Sequence, residues 1–151
     1  MAEINTHTVS KHTVEIRIPT YKRPALLRRA LNSVLEQSYS DWLAIVFDDS
    51  PGQEGQPVVQ SLNDPRLIYQ PNDKNLGGSA NIDQAFYSGS YIEGSEFATI
   101  LEDDNWWYPE FLQKNIEALP LSRSELAVSA KLVRDGHATS AFAGIGRHAR
   151  R

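Results

Sequence analysis

The segment WLAIVF, residues 42–47, is a short continuous apolar run that ends abruptly in Asp48 and Asp49. A run of this kind is typical of a central strand in a parallel sheet, where both faces of the strand are buried. Parallel strands need crossover connections, and right-handed crossovers place helices on both faces of the sheet. The run therefore predicts an α/β protein built in three layers.

The rest of the chain alternates strand-like and helix-like segments around this run. The strand candidates are 14–18, 42–47, 66–69, 97–101 and 126–133. The helix candidates are the segment opened by Pro24, residues 56–62, residues 80–87 and the segment opened by Pro109. This alternation predicts βαβ units and a mostly parallel, Rossmann-like sheet in an αβα sandwich.

Two of the helix candidates show which side chains should face the core. In the helix opened by Pro24, the polar side of the pattern carries Arg28, Arg29, Asn32 and Glu36. In the segment 80–87, the pattern predicts that three side chains point inward, namely Ile82, Ala85 and Phe86. Both patterns have the spacing of amphipathic helices.

Composition excludes several classes of protein. The 151 residues fit one domain, which we place at 13–133, between a flexible arm at 1–12 and an irregular tail at 134–151. A net charge of −4 argues against sequence-independent nucleic-acid binding, and the lack of cysteine excludes disulfide scaffolds and thiol chemistry. Because no apolar run could cross a bilayer and the polar start is unlike a signal peptide, we expect a soluble, cytoplasmic protein without a transmembrane segment.

Ligands of doubly wound sheets bind at the carboxyl ends of the strands, so the strand ends are the places to search. The first strand candidate ends in Pro19, Thr20 and Tyr21, followed by Lys22 and Arg23. Thr20 offers a hydroxyl, Tyr21 offers a flat ring on which a base could lean, and the two cations could reach phosphates. The alternative is that Tyr21 covers the helix and the basic pair is solvated.

The second strand end presents Asp48 and Asp49, whose carboxylates could accept hydrogen bonds from a nucleoside base or a ribose hydroxyl. Taken alone, these residues favour a hydrogen-bonded turn before the Pro51–Gly52 pair. The loop 75–78 leads into a helix at Ser79, where free backbone N–H groups could hold an anion. A glycine pair before a helix is also ordinary loop sequence.

An acidic cluster follows the apolar strand FATIL, at Glu102, Asp103 and Asp104. Adjacent carboxylates repel one another, and a divalent cation would neutralise them. The lack of cysteine and of paired histidines disfavours zinc and favours a hard cation such as Mg²⁺ or Mn²⁺. The alternative is a solvated turn in which Asp104 or Asn105 caps the next helix.

Residues 13–119 resemble the N-terminal part of a family 2 glycosyltransferase with the GT-A fold. Four segments in matching order and spacing carry the resemblance: VEIRIPTYKRPALLRRALNSVLEQSYSDW, LAIVFDDS, NLGGSANIDQAF and ILEDDNWWYPEFL. The resemblance implies a domain that binds a nucleotide diphosphate sugar, with a UDP-sugar favoured. It also implies a divalent metal, Mn²⁺ or Mg²⁺, and an inverting transfer to the hydroxyl of an unknown acceptor, which would be a glycan, a lipid or a protein.

The resemblance also assigns roles to individual residues. It implies that the first strand end (Pro19, Thr20, Tyr21 and Arg23) and Asp49 hold the nucleoside and phosphates, with Asp48 beside them. Asn75, Gly77 and Asn81 would line the loop near the sugar or phosphates. Asp103 and Asp104 would match the metal and diphosphate motif, with Asp104 as the direct ligand and Glu102 in place of the usual first aspartate.

The part of the family that supplies the acceptor site and the general base is not recognisable in this sequence. The base is therefore unassigned, and we expect a sheet that is incomplete on its C-terminal side and a chain that self-associates. A second hypothesis is a truncated or non-catalytic nucleotide-sugar-binding module. A receiver-like signalling domain would need its acidic pair after the first strand, and a nucleotidyltransferase would need a glycine-rich loop there, whereas residues 19–24 contain neither.

Overall fold

The computed structural model describes residues 13–87, 89–95 and 97–118, together with the backbone of four short strands beyond them. The first eight elements are β1 (Val14–Thr20), α1 (Pro24–Leu35), β2 (Trp42–Asp48), α2 (Gln56–Leu62), β3 (Leu67–Pro71), α3 (Gly78–Ala85), β4 (Phe97–Ile100) and α4 (Phe111–Ala118). The last four are β5 (Leu126–Ala127), β6 (Leu132–Arg134), β7 (His137–Thr139) and β8 (Ile145–Arg147). The arm predicted at 1–12 lies outside the described residues.

The main sheet has the strand order β3-β2-β1-β4-β8-β5. Strands β3, β2, β1 and β4 are parallel, while β8 pairs antiparallel with both β4 and β5. The apolar run of β2 lies between β1 and β3, as its composition predicts, and the predicted α/β fold is confirmed. Among the described strands, β3 and β5 each have one neighbour and form the two lateral edges of this sheet.

The C-terminal part of the strand prediction is wrong in detail. Residues 126–133 do not form one strand, because β5 pairs with β8 in the main sheet whereas β6 pairs with β7 in a separate two-stranded sheet. Two short strands, β7 and β8, also lie within the segment 134–151 that was expected to be an irregular tail.

The main core lies on the face of the sheet that α1, α2 and α4 cover. Pro24 occupies the first turn of α1, where its missing N–H costs no helical hydrogen bond. The strands contribute Val14, Ile16, Ile18, Trp42, Ala44 and Val46, and the helices contribute Leu27, Ala30, Leu31, Val34, Val58, Val59, Phe111 and Leu112. The apolar faces that the sequence predicts for α1 and β2 meet in this cluster.

The opposite face of the sheet buries a charged pair as well as apolar side chains. Glu15 and Arg17 alternate with the apolar residues of β1, yet their exposed fractions are 0% and 2%. The guanidinium of Arg17 lies 2.8 Å from the Glu15 carboxylate. Leu43, Ile45, Phe47 and Ile92 pack beside them on the same face. The alternation in β1 thus separates two buried faces rather than a buried face from a solvated one.

The Glu15–Arg17 pair fixes the chain that follows α3. Arg17 donates hydrogen bonds to the backbone carbonyls of Ala85, Tyr87 and Gly89. Glu15 accepts hydrogen bonds from the hydroxyls of Ser90 and Ser95 and from the backbone N–H groups of Tyr91 and Ile92. A buried charge is tolerated when it is paired and fully hydrogen-bonded, and these contacts meet that requirement.

Helix α3 presents a different face to the sheet from the predicted one. Ile82 and Phe86 are 37% and 68% exposed, while Asn81 and Ala85 are 3% and 1% exposed. The prediction for Ile82 and Phe86 is wrong because the Asn81 amide bonds to the sheet and sets the rotation of the helix. Among the described residues the longest helix, α1, has 12 residues, and no helix there could span a bilayer.

Removing Arg17 should strongly destabilise the fold. In Arg17→Met the Glu15 carboxylate stays buried without its partner, so we expect the free energy of unfolding to fall by about 3–5 kcal/mol. Urea denaturation measures this loss. The control is Arg28→Met on the exposed side of α1, with an expected loss below about 1 kcal/mol. A loss for Arg17→Met no larger than that of the control would contradict the assigned role of the pair.

The same pair predicts how stability depends on pH. Burial alone would raise the pKa of Glu15, but hydrogen bonds from Ser90, Ile92 and Arg17 outweigh it and lower this pKa below its usual value of 4.5. A carboxyl with a depressed folded-state pKa contributes stability above its unfolded pKa and loses it as the pH falls through the folded pKa. The stability advantage of the wild type over Glu15→Gln should therefore shrink between pH 6 and pH 3. An advantage that is constant over this range would count against the ionised Glu15.

Candidate functional site

The predicted strand ends come together at the carboxyl end of the parallel strands, which we call the candidate edge of the sheet. Thr20 is in register with Asp48 across β1 and β2, and Arg17 is in register with Ile100 across β1 and β4. The residues that directly follow these strands, 21–23, 49–50 and 101–104, therefore lie side by side. This edge joins all three strand ends that the sequence singled out.

Asp103 lies at the inner side of this edge, where it is 5% exposed. It accepts a hydrogen bond from the Thr20 hydroxyl at 2.8 Å, and the Arg23 guanidinium lies 3.3 Å from its other oxygen. Burial raises the pKa of Asp103, and the charge of Asp104 adds to this rise, against the opposing effects of Thr20, Arg23 and the Tyr21 N–H. Asp103 thus links the end of β4 to the end of β1.

Asp104 and Glu102 face outward from the same corner. The side chain of Asp104 is 21% exposed, and its Oδ2 lies 3.5 Å from the same Arg23 nitrogen that contacts Asp103. Glu102 is exposed, and its backbone carbonyl accepts the N–H of Asn105 in a tight turn. One guanidinium thus contacts both Asp103 and Asp104. We call this pair of residues, at the end of β4, the aspartate corner.

Arg29 fixes the backbone of this corner from helix α1. Its Nη2 donates to the Asp104 carbonyl at 2.7 Å, and its guanidinium lies 4.3 Å from the centre of the Trp106 ring. The sequence pattern placed Arg29 on the polar side of α1. Arg29 is half-buried there because the chain after β4 folds back over this side of the helix.

Ser33 and Gln37 continue this attachment along α1. The Ser33 hydroxyl accepts the N–H of Trp107 at 3.1 Å. The Gln37 amide donates to the Tyr108 carbonyl at 2.8 Å and accepts the N–H of Leu112 at 3.0 Å. Neither residue is among those predicted from the sequence. The available signal was their spacing of four from Arg29, which puts polar side chains on one line beside the apolar stripe.

Asp48 serves the turn that follows β2. It is 1% exposed and accepts hydrogen bonds from the N–H groups of Ser50 and Gly55 and from the Tyr69 hydroxyl. A Cβ at Gly55 would lie 2.7 Å from Asp48 Oδ2, so only glycine allows this approach. Burial raises the pKa of Tyr69, and the hydrogen bond to Asp48 raises it further. These contacts match the turn that the sequence favoured for Asp48.

Asp49 holds the loop between β3 and α3. It is 3% exposed, and each of its carboxylate oxygens accepts two hydrogen bonds. The donors are the side-chain amides of Asn72 and Asn75 and the backbone N–H groups of Leu76 and Gly77. Gly77 has a φ of +85°, which suits glycine and turns the loop toward the carboxylate. The loop 72–77 is thus bound to the end of β2.

Asn81 joins the ends of the two central strands from helix α3. Its amide donates to the carbonyls of Thr20 and Phe47 at 3.3 and 3.2 Å, and its oxygen accepts from Asn72 at 3.1 Å. Asn81 therefore lies beside the loop 72–77.

Residues at the end of β1 offer an accessible ring and two cations. Pro19 is buried in the sheet opposite Phe47, whereas Tyr21 is 43% exposed. Lys22 has a φ of 52°, uncommon for a non-glycine residue, and its N–H donates to Ser50 at 2.7 Å. The strand end therefore turns sharply and leaves the Tyr21 ring and the Arg23 side chain at the surface of the edge.

The oxygen donors of the aspartate corner suit a hard divalent cation. The described residues include no preformed group of three histidine, cysteine or acidic ligands. Mg²⁺ in phosphate-binding sites uses one or two carboxylates and takes its other ligands from water and phosphate. The Arg23 guanidinium shows that a positive charge already lies between Asp103 and Asp104. Asp104 and Glu102 are the accessible carboxylates of this set.

Comparison with known proteins shows the family of this chain. The model of "Glycosyl transferase family 2" matches residues 15–142. The chain is 40% identical over 103 residues to the Escherichia coli K12 protein named "Putative colanic acid biosynthesis glycosyl transferase WcaA". That match covers 66% of this chain and 35% of the E. coli protein, so the chain spans about a third of the length of this relative.

Solved structures share the fold. S. aureus TarS 1–349 in complex with UDP-GlcNAc matches with a TM-score of 0.60 and 23% identity, over 76% of this chain and 33% of that one. The mannosyltransferase PcManGT from Pyrobaculum calidifontis, in complex with GDP-Man and Mn²⁺, matches with a TM-score of 0.50 and 20% identity, over 62% and 28%. At these identities the likeness concerns the fold.

Removing the Asp49 carboxylate should free the loop that it holds. In Asp49→Ala the amides of Leu76 and Gly77 lose their acceptor, so we expect their hydrogen exchange to accelerate about tenfold or more. Exchange measured by NMR reports each amide separately. The control is Asp73→Ala, an exposed residue of the same loop. Unchanged exchange at residues 76 and 77 in Asp49→Ala would contradict the assigned contacts.

Proposed function

Because this chain belongs to glycosyl transferase family 2, we propose that it binds a nucleotide diphosphate sugar and supports transfer of the sugar to an acceptor hydroxyl. The observation that carries the proposal is the aspartate corner, which lies beside the exposed Tyr21 ring and the Arg23 guanidinium at one edge of a parallel sheet. Two carboxylates, a flat ring and a positive charge at one edge suit the three parts of such a donor.

The end of β1 and the loop 72–77 would receive the nucleoside. The Tyr21 ring offers a face for the base, and the loop 72–77 forms the neighbouring wall. Both carboxylate oxygens of Asp49 already accept N–H groups from the protein. A direct contact between Asp49 and the nucleoside therefore stays a prediction. Asn75 and Gly77 would line the approach to the phosphates, with Asp49 as the residue that positions them.

The aspartate corner would receive the diphosphate. Asp104, with Asp103 and Glu102 beside it, would hold Mn²⁺ or Mg²⁺, whose charge would offset the negative charge that develops on the departing diphosphate. Arg23 would add a further positive charge at the same place. Thr20 and Arg29 keep the two aspartates in position through their hydrogen bonds.

The transfer step is proposed to proceed with inversion. The acceptor hydroxyl would attack the anomeric carbon from the side opposite the diphosphate, and a base would take its proton. We assign no residue to this base. UDP is the favoured nucleotide, and the TarS complexes with UDP-GlcNAc and UDP support this choice. The Mn²⁺ in the mannosyltransferase complex supports a divalent cation.

Nucleotide binding should depend on a divalent cation through Asp104. We expect Mn²⁺ to tighten UDP binding about tenfold or more in calorimetric titrations, because the cation links two anionic partners. Asp104→Ala should lose this gain. The control is Glu93→Ala, which removes an exposed carboxylate outside the aspartate corner.

UDP affinity that is the same in Mn²⁺ and in EDTA, or a gain that persists in Asp104→Ala, would contradict the site. A parallel titration with GDP tests the choice of base, and equal or tighter GDP binding would overturn the preference for uridine.

A further inference from the structure

We propose that Arg23 is an exchangeable counter-ion of the aspartate corner, which occupies the position of the divalent cation in the free protein and turns to the diphosphate when the donor binds. The inference rests on the proposed function, which it deepens. Without nucleotide, Arg23 should therefore weaken the binding of the metal. With metal bound, Arg23 should strengthen the binding of the nucleotide.

The geometry of Arg23 is that of a bridging cation. A single nitrogen, Nη1, lies 3.3 Å from an oxygen of Asp103 and 3.5 Å from an oxygen of Asp104. A divalent cation bound by these oxygens would lie about 2 Å from each. The guanidinium and the cation cannot share that position, both for lack of space and because like charges repel. One must leave when the other binds.

The Arg23 side chain can leave without disturbing its surroundings. It is 53% exposed, whereas the Asp103 side chain is 7% exposed. Partly exposed ion pairs of this kind contribute little to stability, so breaking them costs little. The backbone of Arg23 is fixed as the N-cap residue of α1, and its carbonyl accepts the N–H of Leu27. Substitution of the side chain should therefore leave the helix in place.

The two aspartates stay in position when Arg23 moves. The Thr20 hydroxyl binds Asp103 Oδ2, the oxygen that Arg23 does not contact. Arg29 binds the backbone carbonyl of Asp104, a contact in which Arg23 takes no part. Contacts that do not involve Arg23 thus hold both aspartates, and the backbone of Arg23 stays fixed beside them when its side chain moves.

The test is a titration with Mn²⁺ alone, followed by one with UDP at saturating Mn²⁺. The proteins are the wild type, Arg23→Gln and Arg28→Gln. Arg28 is a matched control because it is also an arginine at the start of α1, but it is exposed and donates to Ser61. Free Mn²⁺ is measured by electron paramagnetic resonance, and UDP binding is measured by calorimetry.

We expect Arg23→Gln to bind Mn²⁺ about tenfold more tightly than the wild type without nucleotide, since the ion pairs of Arg23 with the two aspartates no longer have to be broken and its positive charge no longer repels the cation. In saturating Mn²⁺ the same variant should bind UDP several-fold more weakly, because the phosphates lose a positive partner. Arg28→Gln should stay within about twofold of the wild type in both titrations. A purely structural role for Arg23 would weaken both interactions.

Equal Mn²⁺ affinity in Arg23→Gln and the wild type, or no measurable Mn²⁺ binding to Arg23→Gln, overturns the exchange. A change of similar size in Arg28→Gln overturns it too, since the effect would then be one of net charge. The result is separable from the proposed function. Metal-dependent UDP binding with no effect of Arg23 on Mn²⁺ affinity would reject only the exchange, whereas metal-independent UDP binding would reject the proposed function.

Discussion

Two adjacent aspartates at the end of β4 must stay close together although their charges repel, and the β1–α1 unit makes this possible. One continuous stretch supplies the contacts. The Thr20 hydroxyl binds Asp103, the Arg23 guanidinium lies near Asp104, and the Arg29 guanidinium binds the backbone carbonyl of Asp104. The chain after β4 is therefore attached to the end of β1 and to the first turns of α1. The position of the aspartate corner depends on this attachment.

Buried carboxylates order the loops elsewhere in the domain by the same principle. Glu15 holds the segment 89–95 on one face of the sheet, Asp48 holds the turn after β2, and Asp49 holds the loop 72–77. In each case a carboxylate that is almost fully buried accepts backbone N–H groups from a loop, so that the loop needs little apolar surface of its own. Most acidic residues of the candidate edge are thus structural in their contacts, and Asp104 and Glu102 differ from them by their exposure.

The elements of the fold follow from local patterns, and much of the site follows from topology. The apolar run of β2 identifies the sheet, and the rule that ligands bind at strand ends directs attention to the residues after β1, β2 and β4. Hydrogen-bond partners cannot be predicted in this way, because the partners lie far apart in the sequence. Ser33 and Trp107, for example, are separated by 74 positions. The burial of Arg17 and the rotation of α3 also depend on partners that lie far away in the sequence, so the local hydrophobic pattern does not predict them.

A crystal soaked with UDP and Mn²⁺ and measured at the manganese absorption edge would test whether a divalent cation joins the aspartate corner to a diphosphate. We expect an anomalous peak about 2 Å from an Asp104 oxygen and from the diphosphate, with the Arg23 guanidinium displaced from its position between the aspartates. Bound UDP with no peak at the corner, and Arg23 still between Asp103 and Asp104, would contradict this expectation.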